Sequence, residues 1–197
     1  MTSEEEKYTD QFRKVLNSYA PITEGSFSKL LPLLNFKTVE KEEYLLQINQ
    51  TARKMHFVCK GILTSLFITA DGGTHIKNFF LEGNFAASKA SLLRSAPSDF
   101  SIRSLEESIV IDIDYRKYKQ LIYGHNDLKD FYIGYLERKW VIENEKRQIA
   151  FATQTARERY LTFLKEYPNL DQRVSQLHIA SYLGITPTQL SRIRKNL

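Results

Sequence analysis

The 24 residues from Val174 to Leu197, VSQLHIASYLGITPTQLSRIRKNL, leave the backbone little choice. Leu177, Ile179, Ala180 and Leu183 carry the apolar spacing of one short helix. Leu190, Ile193 and Leu197 recur at helical spacing on a second. Gly184-Ile185-Thr186-Pro187 lies between them with both stop and start signals. Glycine tolerates the left-handed conformation that ends a helix. Threonine caps the next one, and proline fits its first position, where a missing N–H costs nothing. The small Ala180 sits where the two helices would cross. The pattern predicts a helix, a turn of about three residues and a second helix.

With Leu190 and Ile193 turned inward, Thr188, Gln189, Ser191, Arg192 and Lys195 face outward, and Arg194 partly so. A polar and cationic helix face of this kind suits the major groove of DNA. The plain alternative is a two-helix corner with a solvated basic face.

Charge bears on that choice. The net charge is +5 over 197 residues. Residues 138–197 hold eleven Lys/Arg against five Asp/Glu, whereas residues 1–137 hold seventeen against eighteen. The positive excess therefore lies with the two-helix segment, as contact with phosphate requires. No apolar run approaches a membrane span, and the start, MTSEEEKYTD, is acidic rather than signal-like, so a cytoplasmic protein with no membrane partner is expected. The single cysteine, Cys59, excludes an internal disulfide and any clustered-cysteine metal or iron–sulfur site. It reads as a buried small hydrophobe.

Earlier in the chain, Phe12, Val15, Leu16 and Tyr19 predict an amphipathic helix over residues 3–20, and Phe27, Leu30, Leu31 and Leu34 a second one ending before Asn35. From Phe36 to Tyr115 the segments shorten and turn β-branched and aromatic: Lys37-Val39, Tyr44-Ile48, Lys54-Cys59, Ile62-Thr69, Thr74-Phe80, Ser101-Leu105 and Ser108-Ile113. Turn signals separate them, with a hairpin expected at Asp71-Gly72. This spacing predicts a small antiparallel barrel or jelly roll. A long helix is expected from Asp127 to Ala150, where Leu128, Tyr135, Ile142 and Ile149 recur every seven residues, a seam suited to a second copy of the chain. Thr155–Tyr167 is a further amphipathic helix, with Ala156, Tyr160, Phe163 and Leu164 inward.

Barrel, long helix, helix and helix-turn-helix, in that order, resemble the Crp/Fnr family of bacterial transcription regulators over essentially the whole chain. The most specific residues are Ile179-Ala180-Ser181-Tyr182-Leu183-Gly184-Ile185-Thr186-Pro187 and Leu190-Ser191-Arg192-Ile193. These look like the cyclic-nucleotide-binding-like regulators of Bacteroidetes, and Ala156-Arg157-Glu158-Arg159-Tyr160 and Tyr167-Pro168 resemble their preceding helix. The resemblance implies an α+β fold: a double-stranded β-helix (jelly-roll) sensory barrel over 1–125, a dimerisation helix over 126–150 and a winged-helix-like helix-turn-helix domain over 151–197. The sequence stops at Leu197, so no wing is expected after the second helix.

In the resemblance, Arg192 matches a base-contacting arginine and is expected to read the O6/N7 edge of guanine. Thr188, Gln189 and Ser191 come next, while Ser175, Gln176, His178, Arg194 and Lys195 would meet phosphates or position the helix. The family's other recognition Arg and Glu fall on Pro187 and Thr188, so a different operator is expected. The implied partners are a palindromic duplex operator, a second copy of the chain, RNA polymerase and a small-molecule effector of unknown identity.

Cyclic-AMP-binding members carry a cassette of the form Gly-Glu-x-x-Gly-Glu-Leu, followed about ten residues later by Arg-Ser/Thr. Here the matching residues are Gly83, Asn84, Phe85, Ala86, Ala87, Ser88 and Lys89, then Pro97 and Ser98, with Arg94 as a stray cation. The ribose glutamate is Ser88 and the phosphate arginine is Pro97, so cyclic AMP is not the expected effector. Haem or other metal sensing is not expected from His56, His75, His125 and His178, which show no pairing, and no cofactor is implied. Asp112 and Asp114 share a strand face without an evident base, and no catalytic motif appears, so the chain is not read as an enzyme. Two rival readings stay open: a ligand-binding barrel whose helices contact protein, and a cupin-like barrel enzyme.

Overall fold

The computed structural model describes residues 2–68 and 72–197. Asp71 of the expected hairpin, with Thr69 and Ala70, lies outside the described residues. Helix α1 (Ser3–Asn17) is capped reciprocally by Thr2 and Glu5. Helix α2 (Glu24–Leu30) starts at Thr23, whose hydroxyl accepts from the Ser26 N–H. Strands β1 (Asn35–Val39), β2 (Tyr44–Leu46), β3 (Lys54–Lys60), β4 (Leu63–Ile68), β5 (Thr74–Phe80) and β6 (Phe85–Ala86) follow. A short helix α3 (Lys89–Arg94) then leads to β7 (Ser101–Ser104) and β8 (Ser108–Asp114).

The strands form two four-stranded antiparallel sheets, ordered β1-β8-β3-β6 and β2-β7-β4-β5. This is the jelly-roll order: each sheet takes alternate members of the folded-over chain. Inward-facing Val39, Val58, Leu63, Ile102 and Val110 fill the space between the sheets. Strand β3 is buried along five consecutive residues because α1 covers its outer face. Phe12 meets Phe57 edge-on at 5.1 Å and Phe85 at 6.0 Å. Ile68 pairs with Thr74 across the β4–β5 ladder, the geometry of the hairpin read from the sequence.

Four elements had not been anticipated: β6, α3, a short helix at Leu170–Arg173, and α4 (Tyr115–Gly124), which Asp114 caps at the Lys117 N–H and which buries Tyr118 and Ile122. The long helix runs as α5 (Asn126–Leu136), a π-helical turn at Glu137–Ile142 and α6 (Glu143–Thr153). That turn corrects the expected seam. A π turn holds more residues than an α turn, so a seven-residue spacing across it does not return to the same face. Leu128 and Tyr135 are buried in the core of their own chain, whereas Ile142 and Ile149 are 48% and 55% exposed. Tyr135 packs at 5.4 Å from both Tyr19 and Phe85.

Helices α7 (Ala156–Glu166), α8 (Leu170–Arg173), α9 (Gln176–Leu183) and α10 (Pro187–Lys195) complete the chain. Tyr160, Phe163, Leu170, Ile179, Ala180, Leu183 and Leu190 form a second core that is continuous with Ile62, Leu66, Ile76, Phe79 and Leu105 on the outside of the sandwich. The helical unit is therefore seated on the barrel.

Candidate nucleic-acid interface and barrel cleft

The helix pair α9–α10 is built from its caps. The Ser175 hydroxyl accepts from the His178 N–H at 3.2 Å to start α9. Gly184 ends it at φ +67°, and the Ile185 N–H reaches back to the Ala180 carbonyl at 3.0 Å. Thr186 and Gln189 then form a reciprocal capping box around Pro187: the Gln189 N–H donates to Thr186 at 3.1 Å, and the Thr186 N–H donates to Gln189 Oε1 at 2.9 Å. Gln189, expected to read bases, is thus engaged in holding the helix start. Leu190 is fully buried and Ile193 half-buried, which leaves Thr188, Ser191, Arg192, Arg194 and Lys195 exposed. Arg192, Arg194 and Lys195 enter no ion pair among the described residues.

Leu177 and Leu197 depart from the apolar pattern: both are exposed, at 66% and 56%. Gln176 is exposed beside Leu177, but His178 is half-buried toward the barrel, where it feels Arg103, Glu42 and Lys41, and burial lowers its pKa. Its expected place at a phosphate is therefore corrected to the barrel side of α9.

Several side chains tie the helical unit to the sandwich. Ser181 Oγ accepts from the Ile76 N–H and donates to the Thr74 carbonyl, both at 2.8 Å. Arg173 bridges Glu82 at 2.7 Å and also pairs with Glu106. Arg159 donates to the Leu183 carbonyl from Nε and Nη2, at 3.3 and 3.2 Å, and from Nη1 to Gln154 O at 2.7 Å. It thereby joins α7 to the end of α9. Nothing in the sequence distinguished Ser181 or Arg173 from ordinary surface residues.

The cassette residues are placed as follows. Gly83 turns at φ +82°, with its N–H donating to Val58 O at 2.9 Å. Asn84 O accepts from the Val58 N–H. Phe85, Ala86 and Ala87 are buried in the barrel core. Ser88 and Ser98, which stand at the family's ribose and phosphate positions, are both buried and bonded to each other at 2.8 Å between hydroxyls. Ser98 Oγ lies also 2.7 Å from Phe100 O. Pro97 and Arg94 are exposed. The Ser88 and Ser98 hydroxyls are consequently satisfied from within.

An open cleft of about 1100 Å³ runs between β5–β6, the central helix and α7. Lys89 projects into it, with Nζ 4.0 Å from the Trp140 ring centre and 5.0 Å from that of Tyr135. Burial, reinforced by the charges of Lys139 and Lys77 and only partly offset by Glu143, lowers its pKa to about 7. Lys77 lies on the Phe100 ring at 4.2 Å and is also lowered, by burial and then by Arg147. Lys139 is paired with Glu143 and Arg147 bonds Asn78, but neither Lys77 nor Lys89 forms an ion pair among the described residues. The Trp140 indole N–H is buried without an acceptor in bonding geometry, although the Tyr135 hydroxyl feels it.

The histidine reading needs one correction. His56 Nδ1 lies 2.6 Å from Asp112 Oδ1, and Lys54 Nζ lies 2.9 Å from Oδ2. The pair is brought together by the β3–β8 register, which the sequence does not print. Both side chains are buried and no nucleophile joins them. No group of three metal-ligating side chains occurs among the described residues. Burial pushes the Cys59 thiol up to about 12.

The sequence of residues 36–125 matches the cyclic nucleotide-binding domain family. No curated protein sequence matches the chain. Among solved structures, FixK2 from Bradyrhizobium japonicum is similar at 20% identity and a TM-score of 0.71, covering 83% of this chain and 84% of that one. The c-di-GMP-responsive global regulator CLP of Xanthomonas campestris shares 15% identity at a TM-score of 0.67, over 88% of this chain and 91% of its own. The catabolite activator protein of Thermus thermophilus shares 15% at 0.58, over 93% and 86%. At such identities the likeness is one of fold. Residues 36–125 thus match the cyclic nucleotide-binding domain family, and the chain shares its fold with FixK2, CLP and the Thermus thermophilus catabolite activator protein.

Proposed function

We propose that this protein is a homodimeric, sequence-specific DNA-binding regulator of transcription whose barrel senses a small molecule other than cyclic AMP. The observation that carries the reading is the exposed polar and cationic face of α10, where Arg192, Arg194 and Lys195 enter no ion pair among the described residues. Its neighbours in fold are regulators, not enzymes. Each subunit would set α10 in a major groove, with Arg192 reading a guanine edge and Lys195 and Arg194 on phosphates. Two-fold symmetry would place half-sites about 34 Å apart. Dimerisation uses the part of the central helix that its own barrel leaves bare, around Val141, Ile142 and Ile149. The closed Ser88–Ser98 pair supports an effector other than cyclic AMP.

Selection of random duplex DNA on the purified protein, with and without cyclic AMP, tests this. Enrichment of a palindrome irrespective of the nucleotide is the expected result. Binding that does not weaken with salt, or no enriched sequence in either condition, overturns the DNA reading.

A further inference from the structure

The barrel cleft is unusual in what its wall offers. Lys89 is drawn out of water onto the faces of Trp140 and Tyr135 and forms no ion pair among the described residues; Glu143, which partly offsets its burial, is itself paired with Lys139. Aromatic faces stabilise a cation, but more weakly than a paired anion does. The buried N–H of Trp140 is a second donor with no acceptor in bonding geometry, the Tyr135 hydroxyl interacting with it only from outside that geometry. A buried donor left unmade costs about 1–3 kcal/mol, so such groups mark either strain or a missing partner. Lys77 adds a further partly desolvated cation across the cleft, close enough for its charge to depress Lys89. The buried acceptor without a partner in this cleft, Gln154 Oε1, is fourteen residues further along the central helix, roughly 21 Å away at ~1.5 Å per residue. Around Lys89 the wall therefore supplies donors and aromatic faces, and the missing partner is an acceptor.

We propose that this cleft binds a small organic acid with a flat aromatic body, its acid group on Lys89 and the Trp140 N–H with Lys77 behind, and its ring beside Tyr135 and Trp140. Behind Lys89 a small apolar recess, bounded by Met55, Leu92, Tyr118 and Phe131, would take a methyl-sized substituent. Cyclic AMP is disfavoured, because Ser88 and Pro97 stand where the nucleotide-binding cassette carries its glutamate and arginine. The inference rests on the reading of the barrel as a sensor but not on DNA binding; since the test uses protein without DNA, the two fail separately.

The test is a calorimetric titration of the full chain with 2-naphthoate, with 2-naphthylmethanol as its uncharged counterpart, and with cyclic AMP. Naphthoate should bind at least tenfold more tightly than the alcohol or the nucleotide. Lys89→Met should remove at least tenfold of the naphthoate affinity and leave the alcohol unchanged. Trp140→Phe, which keeps a ring and deletes the N–H, should cost about threefold, so a misfolded lysine variant would not leave the matter open. Equal binding of acid and alcohol, undiminished naphthoate binding by the folded Lys89→Met protein, no naphthoate binding at all, or tighter binding of cyclic AMP would each overturn the proposal.

Discussion

The Nδ1 of His56 lies 2.6 Å from the Oδ1 of Asp112, directly across the β3–β8 ladder, inside the sandwich rather than on its surface. Removing one partner of a buried ion pair typically costs about 3–5 kcal/mol because the other is left uncompensated. Asp112→Ala should therefore lower unfolding stability by about 3 kcal/mol in urea titrations while leaving DNA affinity unchanged. A loss below about 1 kcal/mol would show that the pair is not a structural tie.

Two carboxylates set the acid limb of stability. Burial acts to raise the pKa of Asp112, but the hydrogen bonds and charges of His56 and Lys54 outweigh it and the net shift is downward. Asp127 is held at about 2: burial again raises it, but the Thr23 N–H, Ser26 and Thr23 hydroxyls and the Leu128 N–H prevail. Groups with depressed folded pKa values bind more protons unfolded. Their contribution is thus complete above the ordinary carboxylate range and lost as pH falls. The urea midpoint should drop between about pH 4 and pH 2, and Asp127→Asn should flatten that drop.

Lys89 predicts a slope of the same sign in a higher pH window. Its folded pKa, near 7, lies far below that of a free lysine, with Lys77, Lys139 and Glu143 as its charged neighbours. The unfolded chain then binds the extra proton between about pH 7 and pH 10, and this group's contribution to stability rises with pH across that window. Lys89→Met should raise stability at pH 6 by about 1 kcal/mol, the usual cost of keeping a functional group where packing would prefer another. Unchanged denaturation curves at pH 6 would refute it.

The central helix predicts a division of labour. Leu128→Ala should destabilise the monomer by about 2–5 kcal/mol, as fully buried leucines do. Ile149→Glu should leave the fold intact and abolish the dimer in sedimentation. If instead Leu128→Ala dissociated a stable dimer, the seven-residue seam would be restored.

On the DNA side, Arg192→Ala should cost about 1–3 kcal/mol at one base pair of the selected site and relax its preference. Lys195→Ala should weaken all sequences alike and flatten the salt dependence. Unaltered base preference in the Arg192 variant would exclude it as a reader.

The short β-branched and aromatic segments, the turn glycines and the capped start at Thr186-Pro187 each act over a few residues, and these were legible in the sequence. Helix α4 announced itself too, in Tyr118, Leu121 and Ile122 behind the cap Asp114, but its spacing was overshadowed by the strand that precedes it. The His56–Asp112 pair and the Ser181–Ile76 contact join residues 56 and 105 positions apart, so register and docking create them and no local pattern carries them. The split seam had a similar origin: a seven-residue spacing assumes an unbroken α-helix, and Glu137–Ile142 is not one.

Strand β5 is the last in its sheet, and an uncovered strand edge is a template for another chain's backbone. Ser181 occupies that template: its hydroxyl stands where a neighbouring strand would offer one acceptor and one donor. The helical unit is consequently also a sheath. Lifting α9 from the barrel would bare that edge at Thr74 and Ile76, so the docking of the helical unit and the protection of the sheet rim depend on the same serine.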